Sequence, residues 1–150
     1  MKKVLLFFAF MVASIFGAIN ASAQSTTTLT GKLINVTMNG NHYSDVENVS
    51  FLFVDYGNGT GTLTSLQDIG PIGKMPGSIA VNMSVSIDSD GSWSATAGGE
   101  AGKLNLKVGG SMNIYTTSLS GNSKEFTLDT YALKVFGVSA FNASVTFVAY

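Results

Sequence analysis

Apolar residues recur at every second position along much of this chain, in runs separated by turn-forming pairs. From Ile79 to Asp88 the pattern has no defect. Ile79, Val81, Met83, Val85 and Ile87 alternate with small or polar Ala80, Asn82, Ser84, Ser86 and Asp88. Period two describes a strand with one dry face and one wet face. Leu104, Leu106, Val108, Met112 and Ile114 form a second such face. Gly109-Gly110 lies inside it, where a bend or bulge is expected. Phe141, Ala143, Val145, Phe147 and Ala149 form a third, and Val49, Phe51 and Phe53 a fourth. Leu52 and Val54 make that last strand apolar on both sides. Asn39-Gly40, Asn58-Gly59, Asp90-Gly91 and Gly121-Asn122 separate the runs, and such pairs accept the positive φ angles of tight hairpins. The predicted strands are Thr28–Met38, Asn48–Asp55, Thr60–Ser65, Ser78–Asp88, Ser92–Ala97, Lys103–Ser118, Lys124–Phe136 and Phe141–Ala149. No long window carries a helical apolar stripe.

Sequential hairpins with one dry face can close into an up-and-down barrel or stack as a two-sheet sandwich. Closure removes the unpaired edges that invite aggregation. Eight strands is also the number at which a barrel interior just holds side chains or one small ligand. The expected fold is therefore all-β, an eight-stranded antiparallel up-and-down barrel.

The first 23 residues do not belong to that pattern. Lys2 and Lys3 precede an apolar run from Val4 to Ala13, extended by Ile15 and Phe16, and Ala21-Ser22-Ala23 supplies the small-x-small site of a signal peptidase. Residues 1–23 read as a cleaved signal peptide and 24–150 as one domain. An uncleaved anchor is the alternative, but Ser14 and Gly17 interrupt the run and Asn20 ends it, just short of a spanning helix. Nothing later approaches a transmembrane helix. The expected destination is export, to the periplasm, the outer-membrane surface or the medium.

Composition removes most chemistry. The chain has no Cys, so disulfides, thiolate metal sites, Cys nucleophiles and lipid-modified cysteines are excluded. It has no Arg, and beyond Lys2 and Lys3 only six Lys face nine acids, which makes nucleic acid a poor partner. His42, the one histidine, lies in the polar stretch Asn39-Gly40-Asn41-His42 and reads as a solvated turn residue, not a triad base. No G-x-S-x-G nucleophile elbow occurs. Asp88-x-Asp90-Gly91 echoes a calcium loop. With Gly91 in sixth place, Ser86 would be first and Ala97 twelfth, so the bidentate acid is missing and a hairpin turn is the simpler reading. The remaining carboxylates are scattered, and neither phosphate-loop motif is satisfied. No cofactor or metal is expected, and an enzyme is the least favoured class.

The segment Gln67 to Gly77 lacks alternation and contains both prolines, Pro71 and Pro76. It also carries Ile69, Ile72 and Met75, which water penalises on a free loop. They serve either as a flap over a barrel mouth or as a plug that finishes the core.

Several stretches together resemble the calycin-like β-barrel domain of small exported bacterial proteins. They are Leu29-Thr30-Gly31-Lys32-Leu33, Glu47-Asn48-Val49-Ser50-Phe51, Gly59-Thr60-Gly61-Thr62-Leu63 and the loop into the perfect strand. Asp88-Ser89-Asp90-Gly91-Ser92-Trp93 and Ala143-Ser144-Val145-Thr146-Phe147 complete the set. The resemblance spans nearly all of 24–150 and implies a lipocalin-like eight-stranded barrel with no assigned catalytic residue. Gly98-Gly99-Glu100-Ala101-Gly102 is unusually loose for such a wall. Gly91-Ser92-Trp93 spells the G-x-W that opens lipocalins, but it lies mid-chain, and Trp93 is expected to pack at one barrel end.

Three functions compete. A non-catalytic binder would hold a small hydrophobic ligand near one mouth, against Ile69, Ile72, Met75, Val81, Met83, Val85, Trp93, Leu106, Val108, Ile114 and Phe147. A packed barrel would fill that interior and meet partners on its polar exterior. A small outer-membrane barrel would turn the same alternation inside out, although Thr60–Ser65 and Ser92–Ala97 are short for spanning strands.

Overall fold

The protein's structure is a computed structural model that describes residues 24–73, 75–132 and 141–150, and it is all-β. Its strands are β1 (Ser25–Met38), β2 (Asn41–His42), β3 (Val46–Asp55), β4 (Thr60–Ser65), β5 (Gly77–Ile87), β6 (Trp93–Ser94), β7 (Glu100–Leu106), β8 (Ser111–Gly121), β9 (Glu125–Ala132) and β10 (Phe141–Ala149). All pair antiparallel. β2 and β3 lie end to end beside β1, and β6 and β7 lie end to end between β5 and β8. Ten segments thus make eight staves. The ring closes where β10 meets β1, from Gly31 opposite Ala149 to Met38 opposite Ala143. The expected closed eight-stranded barrel is the fold, and the sandwich is not. The predicted signal, residues 1–23, and the end of the predicted strand Lys124–Phe136 lie outside the described residues.

Alternation sets the wall. On β5, Ile79, Val81, Met83 and Val85 are buried, while Asn82, Ser84 and Ser86 are exposed. On β1 the buried set begins at odd numbers, Leu29 and Leu33, and ends at even ones, Val36 and Met38. The change happens at Asn35, whose φ of 53° marks a bulge, and the β1–β10 register shifts between Ile34 and Thr37. One extra residue reverses which side chains face the axis. Asn39 and Gly40 both take positive φ and join Met38 directly to Asn41 in a two-residue hairpin, as the pair predicts.

Two predicted strands are redrawn. Lys103–Ser118 is not one bent strand: Gly109 and Gly110, at φ 104° and 89°, allow a full reversal between β7 and β8, closed by the Leu106 N–H donating to the Gly110 carbonyl at 2.8 Å. Of Ser92–Ala97, only Trp93 and Ser94 pair as strand, and they share a stave with β7. The count of eight survives because one prediction splits while another fuses. The reversal puts Val108 at the hairpin tip, 89% exposed. Val108→Ser should therefore shift stability by less than about 0.5 kcal/mol, while Ile114→Ser, at a fully buried site, should produce a large fall in the urea midpoint.

Five aromatic rings of the core gather towards one end of the barrel. Phe126 packs against Phe147 (5.1 Å between ring centres), Trp93 (5.4 Å) and Phe51 (5.5 Å). Phe51 meets Phe147 edge-on at 5.3 Å, and Phe53 stacks on Trp93 at 4.4 Å. Such pairs add to their burial energy through ring quadrupoles. Trp93 thus sits between Phe53 and Phe126 in the pile, on the short β6 where it faces Ile87 and Gly121. At the opposite end, the Gln67–Gly77 segment folds inward. Ile69 and Ile79 exchange backbone hydrogen bonds at 2.8 Å each, and Met75 is 1% exposed. Asp68 anchors the segment from outside, accepting from Ser78 Oγ at 2.9 Å and Asn105 Nδ2 at 3.0 Å.

Tyr150 clasps the seam. Its hydroxyl donates to Glu47 Oε1 at 2.7 Å and accepts from the Asn48 N–H at 3.0 Å. The bond to the Glu47 carboxylate raises the phenol above its usual pKa. A raised value in the folded state means that this contact stabilises the fold at lower pH and is lost as the phenol ionises at high pH.

Candidate functional site

The predicted interior residues are for the most part brought together. Val81, Met83, Val85, Ile114 and Phe147 face the axis and are buried, with Ile69, Met75 and Trp93 closing the two ends. Ile72 and Leu106 are half-buried against the same core. Val108 is the exception: at the β7–β8 tip it lines no interior, because the Gly109-Gly110 reversal removes it from the wall.

These side chains leave little space. The apolar void under the plug, bounded by Ile69, Ile79, Val81, Leu128, Thr130, Ala143 and Val145, has a volume of about 20 Å³. That is the room of a single water, far below the several hundred Å³ of a ligand site.

The larger space is in the wall. A cleft of about 660 Å³ opens beside β5, lined by Thr60 and Thr62 of β4, Asn82, Ser84 and Ser86 of β5, Tyr56, Ala95, Thr96, Gly99 and Glu100. Its floor reaches the buried Gly61, Met83, Val85 and Thr116. It exists because a stave is interrupted. β5 pairs with β7 from Gly77 to Val81 and with β6 at Ser86 and Ile87, but residues 82–85 have no partner on that side. The bridging residues 95–99 lean the other way, onto β8. The Gly98 N–H donates to the Thr116 carbonyl and the Thr116 N–H to the Gly99 carbonyl, both at 2.8 Å, while a turn links Gly99 back to Thr96. Register shifts between Glu100 and Gly102 and between Thr116 and Ser118 fall at the same level of the barrel.

The ladder phase identifies what is left open. Ile87 donates to the Gly59 carbonyl at 2.8 Å, so the odd-numbered residues of β5 address β4 and the even ones address the gap. Ser84 therefore turns both its N–H and its C=O toward the cleft, and among the described residues neither has a partner. The hydroxyl of Thr116, a residue 1% exposed, also makes no hydrogen bond among the described residues. Buried polar groups ordinarily find a partner, in the protein or in water.

Other polar groups are engaged in structure. Asp88 and Asp90 form a hairpin turn: Asp90 Oδ1 accepts from Ser92 Oγ at 2.6 Å and from the Ser92 N–H at 3.0 Å, which holds the Asp90 carboxyl below its usual pKa. Asp129 bridges three strands through Ser118 and Ser144. His42 is exposed on β2. Among the described residues no three of His, Asp or Glu form a metal-binding group, and no helix is long and apolar enough to cross a membrane.

The sequence reading missed the cleft. Its one signal was the looseness of residues 98–102, and no periodicity reveals that a stave will stop and restart. Comparison with protein-family models, with curated proteins and with solved structures gives no match.

Proposed function

We propose that this chain is an exported, non-catalytic, calycin-like barrel that binds at its outer wall and not in its lumen. The observation that carries this reading is the filled interior, where Phe51, Phe126, Phe147 and Leu33 are at most 1% exposed and the apolar void beneath Ile69 is about 20 Å³. Eight staves can hold one small ligand only if their inward side chains leave room, and here they do not. The outer face supports the reading too. An outer-membrane barrel needs an apolar outer band, whereas Thr30, Asn82, Ser84, Ser86 and Ser120 point outward. The alternative, a small hydrophobic ligand at the plugged mouth, draws on the void beneath Ile69 and would require Ile69, Ile72 and Met75 to swing out together.

The test is a titration of the purified 24–150 protein with a fluorescent fatty acid. No saturable signal is expected up to the solubility limit of the probe. Saturable binding that weakens in an Ile69→Asp variant, folded by circular dichroism, would overturn the packed-barrel reading.

A further inference from the structure

We infer that the wall cleft beside residues 82–85 is a binding site for a short, uncharged, polyhydroxylated ligand, a saccharide of one or two rings. The inference rests on the outer-wall reading above and names its ligand class.

Five observations define that class. The cleft's volume, about 660 Å³, lies in the usual range for small-ligand sites and far exceeds the void in the lumen. Its lining is dominated by hydroxyl and amide groups: Thr60, Thr62, Asn82, Ser84, Ser86 and Thr96. A hydroxyl side chain both donates and accepts, which suits a ligand whose own hydroxyls do the same. Among the described residues, one carboxylate, Glu100, and no Lys or His lines the space. An anion would find no countercharge there, whereas a carboxylate accepts hydrogen bonds from adjacent ring hydroxyls. Tyr56, 41% exposed at the rim, offers an aromatic face to the C–H surface of a sugar ring.

The backbone supplies the fifth. Among the described residues Ser84 has an N–H and a C=O without partners facing the cleft, a donor and an acceptor held in place by β4 on the other side. An unpaired strand edge could instead receive an extended peptide. The geometry disfavours that occupant. The open stretch is four residues, about 13 Å of strand, and it is stopped at both ends where β5 pairs with β6 and with β7. A peptide lying along it would collide with Ser94 at one end and Gly102 at the other, while a compact ring system fits between them.

Purified protein should bind neutral glycans on an array that carries neutral, cationic and anionic saccharides. The best neutral hit is then titrated by calorimetry and by amide NMR. Ser84, Thr62 and Glu100 resonances are expected to shift on saturation. Glu100→Gln and Ser84→Val alter exposed side chains, leave the fold intact by circular dichroism, and should each weaken affinity about tenfold or more. Tyr56→Phe should retain binding and Tyr56→Ala should lose it. An array that is blank, or that lights only with charged glycans, overturns the assignment, as does a neutral hit whose NMR shifts map away from β5. Saturable uptake of the fluorescent fatty acid would overturn the packed-barrel reading instead, so the two failures are distinct.

Discussion

Alanine at Phe126 is expected to cost about 3–5 kcal/mol of unfolding free energy, the largest loss of any single truncation in the barrel. Phe126 is 1% exposed, and it alone touches Phe51, Phe147 and Trp93 at once. Those neighbours sit on β3, β10 and β6, three staves whose backbone ladders hold them apart, so they cannot collapse into the space. The cavity term is then added nearly in full to the lost transfer energy. Urea unfolding should show a lower midpoint at unchanged slope. A loss below about 1 kcal/mol would mean that the interior repacks freely, which a close-packed core does not do. The same variant has a second readout. A sealed apolar void stays dry and admits small apolar molecules, so a benzene-sized probe that the natural chain ignores should bind the Phe126→Ala protein.

Gly31→Ala should destabilise by about 3 kcal/mol or more, at the upper end of what overpacking costs. Gly31 pairs with Ala149 at the seam that closes the ring. An added Cβ would lie 2.1 Å from the Val148 carbonyl oxygen and 2.8 Å from the Ala149 Cα, all backbone atoms that cannot rotate away. The seam must open. Gly40→Ala is the control: its φ is +83° and nothing lies within 4 Å, so only the left-handed backbone penalty of about 1–2 kcal/mol applies. Hydrogen exchange should report the difference. Amides along β1 and β10 lose protection in Gly31→Ala, whereas Gly40→Ala affects its hairpin alone. Equal protection of β1 and β10 in both variants would show that the seam is not the stressed element.

The fold was legible where alternation is uninterrupted. Ile79 to Ile87 announces β5 and its inward face, and Asn39-Gly40 announces its hairpin, because period two and positive φ are local properties of the chain. The start of β1 was hidden because Ser25, Thr26 and Thr27 are polar on both faces and carry no periodic signal, yet they pair with Asp55, Val54 and Phe53. The β7–β8 reversal was hidden because Leu104, Leu106, Val108, Met112 and Ile114 keep a single parity through it, an odd number of residues, 106–110, lying between the paired Asn105 and Ser111. Whether the interior is hollow was not legible at all. It is decided by how four aromatic rings from four staves meet, and ring geometry has no counterpart in spacing. The cleft was hidden for a related reason, since a stave's interruption depends on what residues 95–99 prefer to touch across the wall.

The join between β1 and β10 pairs residues more than a hundred positions apart. Contacts of such sequence separation form late and slowly, because a long loop must be ordered before they repay it. Until then both outer strands present bare hydrogen-bonding edges to every neighbouring molecule. Refolding of this chain from denaturant should therefore give yields that fall steeply with protein concentration, with the competition between self-closure and chain-to-chain association decided at that one junction.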